Sequence, residues 1–406
     1  MIPLLAACVL TSVFAGVRIE PIPGQAEVGT VEIHGLAASE FDQKLWESGE
    51  LHFVPDVRSP LLSPRLSGVF RNIYAPSPVE VPGGWRVFYG AWDGVPTGND
   101  RIYSVRTADF LDFAERRTEI EHGQFIHVCN VNAHRLADGS YRLMCTAYPD
   151  ANKLNKPAFF TSPDGNVWNG TPAPHPATAG DLISMEGYAP YKEADINGIN
   201  VLLPEGDAYH LYFGNFTAHG HVHRATSRDG RQYVYEGVCL DTPHMVNDVR
   251  TFRQGDRTVY LMALHANTDK LWYSLSSDGM KFGPERPLGA NQSAADKYIV
   301  AVGWVTRDRN LLGFLYGAGA VPSLDRNRIF ARWLQKKLVF TPDAGGAMEA
   351  AGALGPDRQV FSLRGKSELT GRLQAYREDG KTPLGEPRAI KLVSGAVYRV
   401  VWDGKP

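Results

Sequence analysis

The chain is poor in sulfur. It has four cysteines among 406 residues, and only Cys129, Cys145 and Cys239 lie beyond the first segment. So sparse and odd a set is no disulfide framework, and no Cys-x-x-Cys or zinc-type spacing occurs. Buried free thiols are the expectation. Excess charge is lacking too. A net charge of −2 does not provide the basic surface that a phosphate backbone requires, so no nucleic-acid partner is expected. No apolar run reaches the ~20 residues of a spanning helix, so no transmembrane span is expected. Nothing in the pattern calls for a cofactor.

What is plentiful is material for strands and turns. Hydrophobic residues make up 43% of the chain, with 41 glycines and 27 prolines. That suits many short elements joined by tight turns, in one large repetitive domain plus a smaller one. Residues 1–16, MIPLLAACVLTSVFAG, form an apolar stretch ending in small residues. They resemble a short signal peptide cleaved after Ala15, which would make the protein secreted or periplasmic. Leu5-Ala6-Ala7-Cys8 also resembles a lipoprotein box, so a lipid anchor through Cys8 is the second expectation.

The strongest internal signal is a repeat. TSPDGNVW at 161–168, SRDGRQY at 227–233 and SSDGMKF at 276–282 share Ser, Asp-Gly and a following aromatic. A looser copy, TADFLDF, lies at 107–113. The shared aspartates are Asp109, Asp164, Asp229 and Asp278, and each copy follows strand-like text. A fixed unit of this length marks a repeat architecture. Gly accepts positive φ, while Asp and Ser bond the backbone of their own turn, so each copy reads as a turn between a third and a fourth strand. Its aspartates are therefore structural. The motif resembles the Asp-box of sialidases with one residue fewer between Asp and Gly.

Five units of four strands predict a five-bladed β-propeller over 71–343. A small β-rich domain is expected over 344–406. An irregular segment, 17–70, would wrap the propeller or close its first blade. In such a fold the innermost strands start on one face around the axis, together with the loops joining second and third strands. Those positions hold Arg71 and Asn72; Asn130 and Asn132; Glu186; Asn247 and Asp248; and Lys297. The loops add Trp92, Asp93, Asp100, Lys153, Lys156, His219, His221 and His265.

Carboxylates, amides, imidazoles and aromatics at this density suit a sugar site. Glu186 and Asp248 are read as paired catalytic carboxylates at innermost strand starts, one to protonate the leaving oxygen and one to stay ionised. Asp93 is a third catalytic candidate. Arg71, Asn72, Trp92, Asn130, Asn132, His219, His221 and His265 are expected to bind substrate. His219, His221 and His223 alternate along one strand, which would spread them by roughly 6.5–7 Å. Hydrogen bonding to substrate is preferred for them over a metal site.

MEGYAPYKE…YHLYFGNF…ATSRDG in the third unit and YAPSPVEV…WRVFYGAW in the first resemble the five-bladed propeller glycosidases, broadly glycoside hydrolase families 43, 32 and 117. The resemblance covers about 70–340. It implies an inverting mechanism with a base Asp, an auxiliary Asp and an acid Glu on innermost strands. By text Glu186 matches the acid. By blade spacing Glu186 takes the auxiliary place and Asp248 the acid place. The first-unit base position, RNIYAPS, offers Asn72 and no carboxylate, which leaves Asp93 or Asp56 to serve. The expected partner is a poly- or oligosaccharide and the expected activity its hydrolysis. A non-catalytic carbohydrate-binding propeller, or a glycoside phosphorylase whose anion pocket uses Arg71, Lys153 and Lys156, is the alternative.

Overall fold

The structure is a computed structural model. It describes residues 17–21, 28–34, 43–48, 51–66, 71–149, 154–291, 293–322, 326–344, 348–349, 352–353, 355–356, 358–362, 368–377, 379–393 and 397–403. The leader-like residues 1–16, with Cys8 and Ala15, and the loop residue Lys153 lie outside the described residues.

The described chain is nearly all β. Five sheets follow one another along it, and each is an antiparallel meander running from an inner to an outer strand. Their inner strands are Ile73–Val81, His127–Arg135, Val201–Glu205, Met245–Gln254 and Tyr298–Arg307. Each inner strand touches the next, and the fifth touches the first, so the five close a ring. Inner strands are buried on both faces, which explains why they read as continuous apolar runs rather than alternating ones.

The Asp-Gly repeat does what its chemistry predicts. Ser227 Oγ accepts from Gly230 N at 2.9 Å, and Asp229 Oδ1 accepts from Arg231 N and Gln232 N at 2.8 and 2.9 Å. The copies at Asp164 and Asp278 make the same bonds. In the loose copy Phe110 takes the glycine's place at φ 61°. The turn glycines have a second reason. A Cβ on Gly230 would lie 2.4 Å from the Phe159 ring of the preceding sheet, and one on Gly279 would lie 2.9 Å from Tyr212 and Tyr260. The trailing aromatics also pack backwards: Trp168 meets Phe88 edge-on at 6.1 Å, and Phe282 meets Tyr212 at 5.8 Å.

Several strand assignments differ from expectation. The YAPYKEA text reads as the third unit's first strand by its likeness to YAPSPVEV, but that inner strand is Val201–Glu205, and YAPYKEA forms the 3₁₀ turn Ala189–Lys192. Val201, Leu202 and Leu203 are wholly apolar and buried, which the earlier segment cannot match. LVF at 338–340 reads as the fifth unit's last strand, but it is not the fifth sheet's outer strand. That strand is Phe53–Pro55, which pairs with Arg332–Leu334, while Leu338–Pro342 joins a C-terminal sheet with Glu368–Tyr376 and Pro383–Val393. The segment 17–70 therefore closes the last sheet rather than the first, which ties the ring shut with chain from both ends. Its strand Val28–His34 also pairs in parallel with Val397–Asp403. In the second sheet, Val167–Trp168 folds into its own two-stranded hairpin with Thr171–Pro172.

Upstream of that closing strand, the helix Gln43–Ser48 sets Trp46 edge-on to Tyr273 and Trp304 at 5.2 and 6.0 Å. Cys129, Cys145 and Cys239 are buried and free, as their sparseness predicts. Among the described residues no helix is long and apolar enough to cross a membrane.

Gly230→Ala should lower unfolding stability by about 1–3 kcal/mol, because a non-glycine at positive φ must also displace Phe159. A reduced denaturant midpoint with an unchanged far-ultraviolet spectrum is the expected result.

Candidate functional site

Around the axis the inner strands present edges with no strand to pair with, yet they are buried. A buried N–H needs a partner. Side chains of the preceding sheet supply it. Ser77 Oγ accepts from Ala133 N at 2.9 Å, Asn132 Oδ1 from Leu202 N at 3.1 Å, Asn247 Oδ1 from Val302 N at 3.0 Å and Asp248 Oδ2 from Trp304 N at 3.0 Å. Asn132 Nδ2 also donates across the axis to Asp248 Oδ1 at 3.1 Å. Both oxygens of Asp248 are thus engaged, and Arg250 Nε adds a third bond at 3.1 Å. Asp248 sits on an innermost strand and braces the axis.

Glu186 does not begin an innermost strand. It lies on the short strand Ser184–Glu186, paired in parallel to the outermost strand of the third sheet and exposed. The EGY text is therefore at the outer edge of the molecule, and the structure does not bring Glu186 to Asp248. Asp93 is buried, but its carboxylate is consumed by Arg116 at 3.0 Å, by Tyr89 Oη at 2.6 Å and by Arg65 N at 2.7 Å. It fastens the 61–66 stretch to the first sheet. Asp56 is likewise engaged, by Arg58, Trp333 and Gly355.

The face where the inner strands start carries a different polar group. β-Bulges interrupt four inner strands near that end, at 75–76, 130–131, 247 and 300. Ala75 and Asn130 take φ of 48° and 55° there. Such bulges re-aim side chains. Between the first two sheets they gather Tyr74, Asp100, His127, Asn130 and Tyr148. Tyr74 donates its hydroxyl to Asp100 Oδ2. Asp100 N donates to His127 Nδ1 at 2.9 Å, so this histidine carries any single proton on Nε2. Asn130 Nδ2 donates to Tyr148 Oη at 2.8 Å, and Tyr148 donates on to Asn197 Oδ1.

Burial pushes the Asp100 carboxyl up to about 7, against smaller opposing effects of the Tyr74 hydrogen bond and Arg101. Burial also holds His127 below its ordinary range, helped by His122 and Arg101. Asp100 Oδ1 is buried without a partner, which makes it the oxygen placed to hold the proton.

More such atoms ring the same end of the axis: Arg71 Nη1, Asn72 Nδ2, Asn200 Oδ1, Asn247 Nδ2 and His265 Nδ1. Buried polar atoms seldom go unpaired, so a collar of them marks a place for water or ligand. Arg71, Asn72, Asn130 and His265 thus fall at or beside the strand starts, and Asn132 lies deeper in the axial brace. Burial lowers His265 to about 3, which keeps it neutral. Trp92 is half-buried in its loop. His219 is exposed and meets Phe216 edge-on at 5.2 Å, and His221 pairs with exposed Asp241 at 2.8 Å. Both stand on the third sheet's rim. Among the described residues no cluster of His, Cys, Asp or Glu could hold a metal ion.

Asp100 was legible as a polar loop residue before a third strand. Its burial and its Tyr74 partner were not, since both depend on a neighbouring strand.

No family model matches the chain, and no curated protein matches it. Solved structures do match. A candidate glycoside hydrolase of Parabacteroides distasonis aligns over 70% of this chain and 98% of its own, at 14% identity and a TM-score of 0.51. A glycosyl hydrolase from Bacteroides ovatus aligns over 70% and 94%, at 15% identity and 0.50. A structure from glycoside hydrolase family 130 aligns over 79% and 100%, at 13% identity and 0.51. That family is described as mannoside phosphorylases that include hydrolases of β-1,2-mannosidic linkages in Candida mannan. The chain has the fold of a glycoside hydrolase. The sequence resemblance to propeller glycosidases agrees with these neighbours, and at such identities the likeness is one of fold.

Two predictions follow from the charges. Asp248→Ala strands Arg250 and the Trp304 N–H without their acceptor, and should cost about 3–5 kcal/mol in urea unfolding. Asp248→Asn, which keeps an acceptor, should cost less. For Asp100 the folded carboxyl titrates at about 7 and the unfolded one at about 4. The folded state therefore binds the extra proton in between, and stability should fall as pH rises from about 4 to 7. Asp100→Asn should remove that slope in a pH series of unfolding midpoints.

Proposed function

We propose that the ring is a five-bladed β-propeller and that the chain cleaves a glycosidic bond in a poly- or oligosaccharide at the axial mouth where the inner strands start. One observation carries this reading: Asp100 is a carboxyl that burial keeps protonated near neutrality, with Oδ1 unpaired, beside a collar of unpaired amide and guanidinium atoms. A protonated carboxyl in a site built to bond hydroxyls is the general acid of glycoside cleavage. Tyr74 fixes its Oδ2, and Oδ1, buried in this structure, would give its proton to a leaving oxygen that reaches it. Asn72, Asn130, Asn200 and neutral His265 offer bonds to sugar hydroxyls. Asp248 holds the floor of the mouth through Asn132 and Arg250. The leader-like residues 1–16 support export to the periplasm or medium.

Phosphorolysis is the second reading, and one observation favours it. The first sheet presents Asn72 where a base would stand, with the unpaired Arg71 Nη1 one residue before it. An amide cannot take a proton from water. Inorganic phosphate is already a nucleophile and needs only a cation to hold it.

The test is product release from a panel of aryl glycosides and oligosaccharides, with and without phosphate. Asp100→Asn should lower kcat/KM by about 10²–10⁴-fold. In the native enzyme kcat/KM should fall as pH rises through about 7, because the protonated form is the active one. Turnover that requires phosphate selects the second reading. Saccharide binding without turnover in either buffer would leave a lectin-like propeller and sink both.

A further inference from the structure

The opposite end of the axis holds a cavity of about 950 Å³. All five sheets contribute to its wall, through Pro78, His134, Tyr209, Phe252 and Thr306 among others. It lies on the face of the tight turns, away from Asp100, and shares only the bracing residues His134 and Arg250 with the proposed cleavage site. Four guanidinium groups line it, from Arg135, Arg228, Arg250 and Arg309, against the carboxylates of Glu80, Asp138 and Asp207.

Two of the three carboxylates are spent, and the third, Asp207, stands exposed at the rim. Glu80 accepts from Asp308 N through both oxygens, at 3.1 and 3.0 Å. Asp138 accepts from Ser140 N and Oγ at 2.9 and 2.6 Å. The donors are not spent. Arg228 and Arg309 make no hydrogen bond or ion pair among the described residues. Arg250 is pinned in the axis, with Nε on Asp248 at 3.1 Å and Nη1 on His134 Nδ1 at 3.0 Å, and its Nη2 has no partner. Arg309 sits in the two-residue hairpin turn between Arg307 and Asn310, where Asp308 and Arg309 take φ of 49° and 66° as such a turn requires, and the Glu80 carboxylate holds that turn.

We propose that this cavity is a second binding site and that its ligand is an anionic saccharide, one bearing a sugar carboxylate or a sulfate ester. Guanidinium forks match both anions in shape and charge, and the half-buried Tyr209 offers a ring edge and hydroxyl beside them. The anionic part of the assignment rests on the cavity alone. The saccharide part rests on the reading of the chain as a carbohydrate-active protein. With this site filled, a polymer would be held at both ends of one axis, one end for cleavage and one for retention.

Titration calorimetry of the full chain tests this, with tetragalacturonate, a sulfated galactan tetrasaccharide, cellotetraose and tripolyphosphate as probes. At least one of the two anionic sugars should bind, with affinity falling as salt rises. Which of them binds separates carboxylate from sulfate. The surface double variant Arg228→Ala/Arg309→Ala should weaken that binding about tenfold while glycoside turnover stays at the native level. Asp100→Asn should bind the same sugar as the native chain does, so failure of the cleavage reading leaves this result standing. Cellotetraose binding as tightly as the anionic sugars would overturn the anionic assignment, and equal binding of tripolyphosphate would overturn the saccharide assignment. No binding of either anionic sugar, no change in the double variant, or loss of binding in Asp100→Asn would overturn the site.

Discussion

The structure depends on how five buried strand edges are satisfied. Each inner strand pairs on one side only, and its other edge faces an axis from which bulk water is largely excluded. An unpaired N–H there costs about 1–3 kcal/mol. Ser77, Asn132, Asn247 and Asp248 meet that need by reaching from one sheet to the backbone of the next. Polar residues in otherwise apolar strands are thus what let the sheets converge. The same bonds fix the register between sheets, which apolar packing alone would leave free to slide.

That requirement also separates carboxylates with a full set of donors from one without. Asp248, Asp93 and Asp56 are buried and surrounded by donors, so each is used up in holding elements together. Asp100 is buried with a single hydroxyl on one oxygen. The contrast in partners explains why burial drives Asp100 toward the neutral form. A buried carboxyl without compensating donors takes up a proton rather than remain charged.

The axis has two ends with different chemistry. At the end where strands start, bulges re-aim Asn130 and Asn247 beside the loop residue Asp100, and the unpaired atoms include both donors and acceptors. At the turn end, four arginines face three carboxylates, of which Glu80 and Asp138 are bound to the backbone. His134 and Arg250 belong to the wall of the second end and also bond to Asn132 and Asp248, so one continuous network joins the two.

The sequence by itself determined the all-β class, the Asp-Gly turns, the buried thiols and most strands, because these follow from local φ preferences and short-range hydrogen bonds. It also placed Asp248, Asn130 and Asn132 on inner strands and Asn72 just before one, since a polar residue beside or within an apolar run is visible in the text. Only the tertiary structure decided the rest. YAPS at 74–77 lies in an inner strand while YAPY at 188–191 forms a 3₁₀ turn, because Val201–Leu203 competes better for the buried place. That competition moves Glu186 to the rim. The closing strand Phe53–Pro55 is too short to announce itself and is defined by its partner, Arg332–Leu334. The upward shift of the Asp100 carboxyl depends on which sheet covers it, a long-range property that no spacing along the chain records.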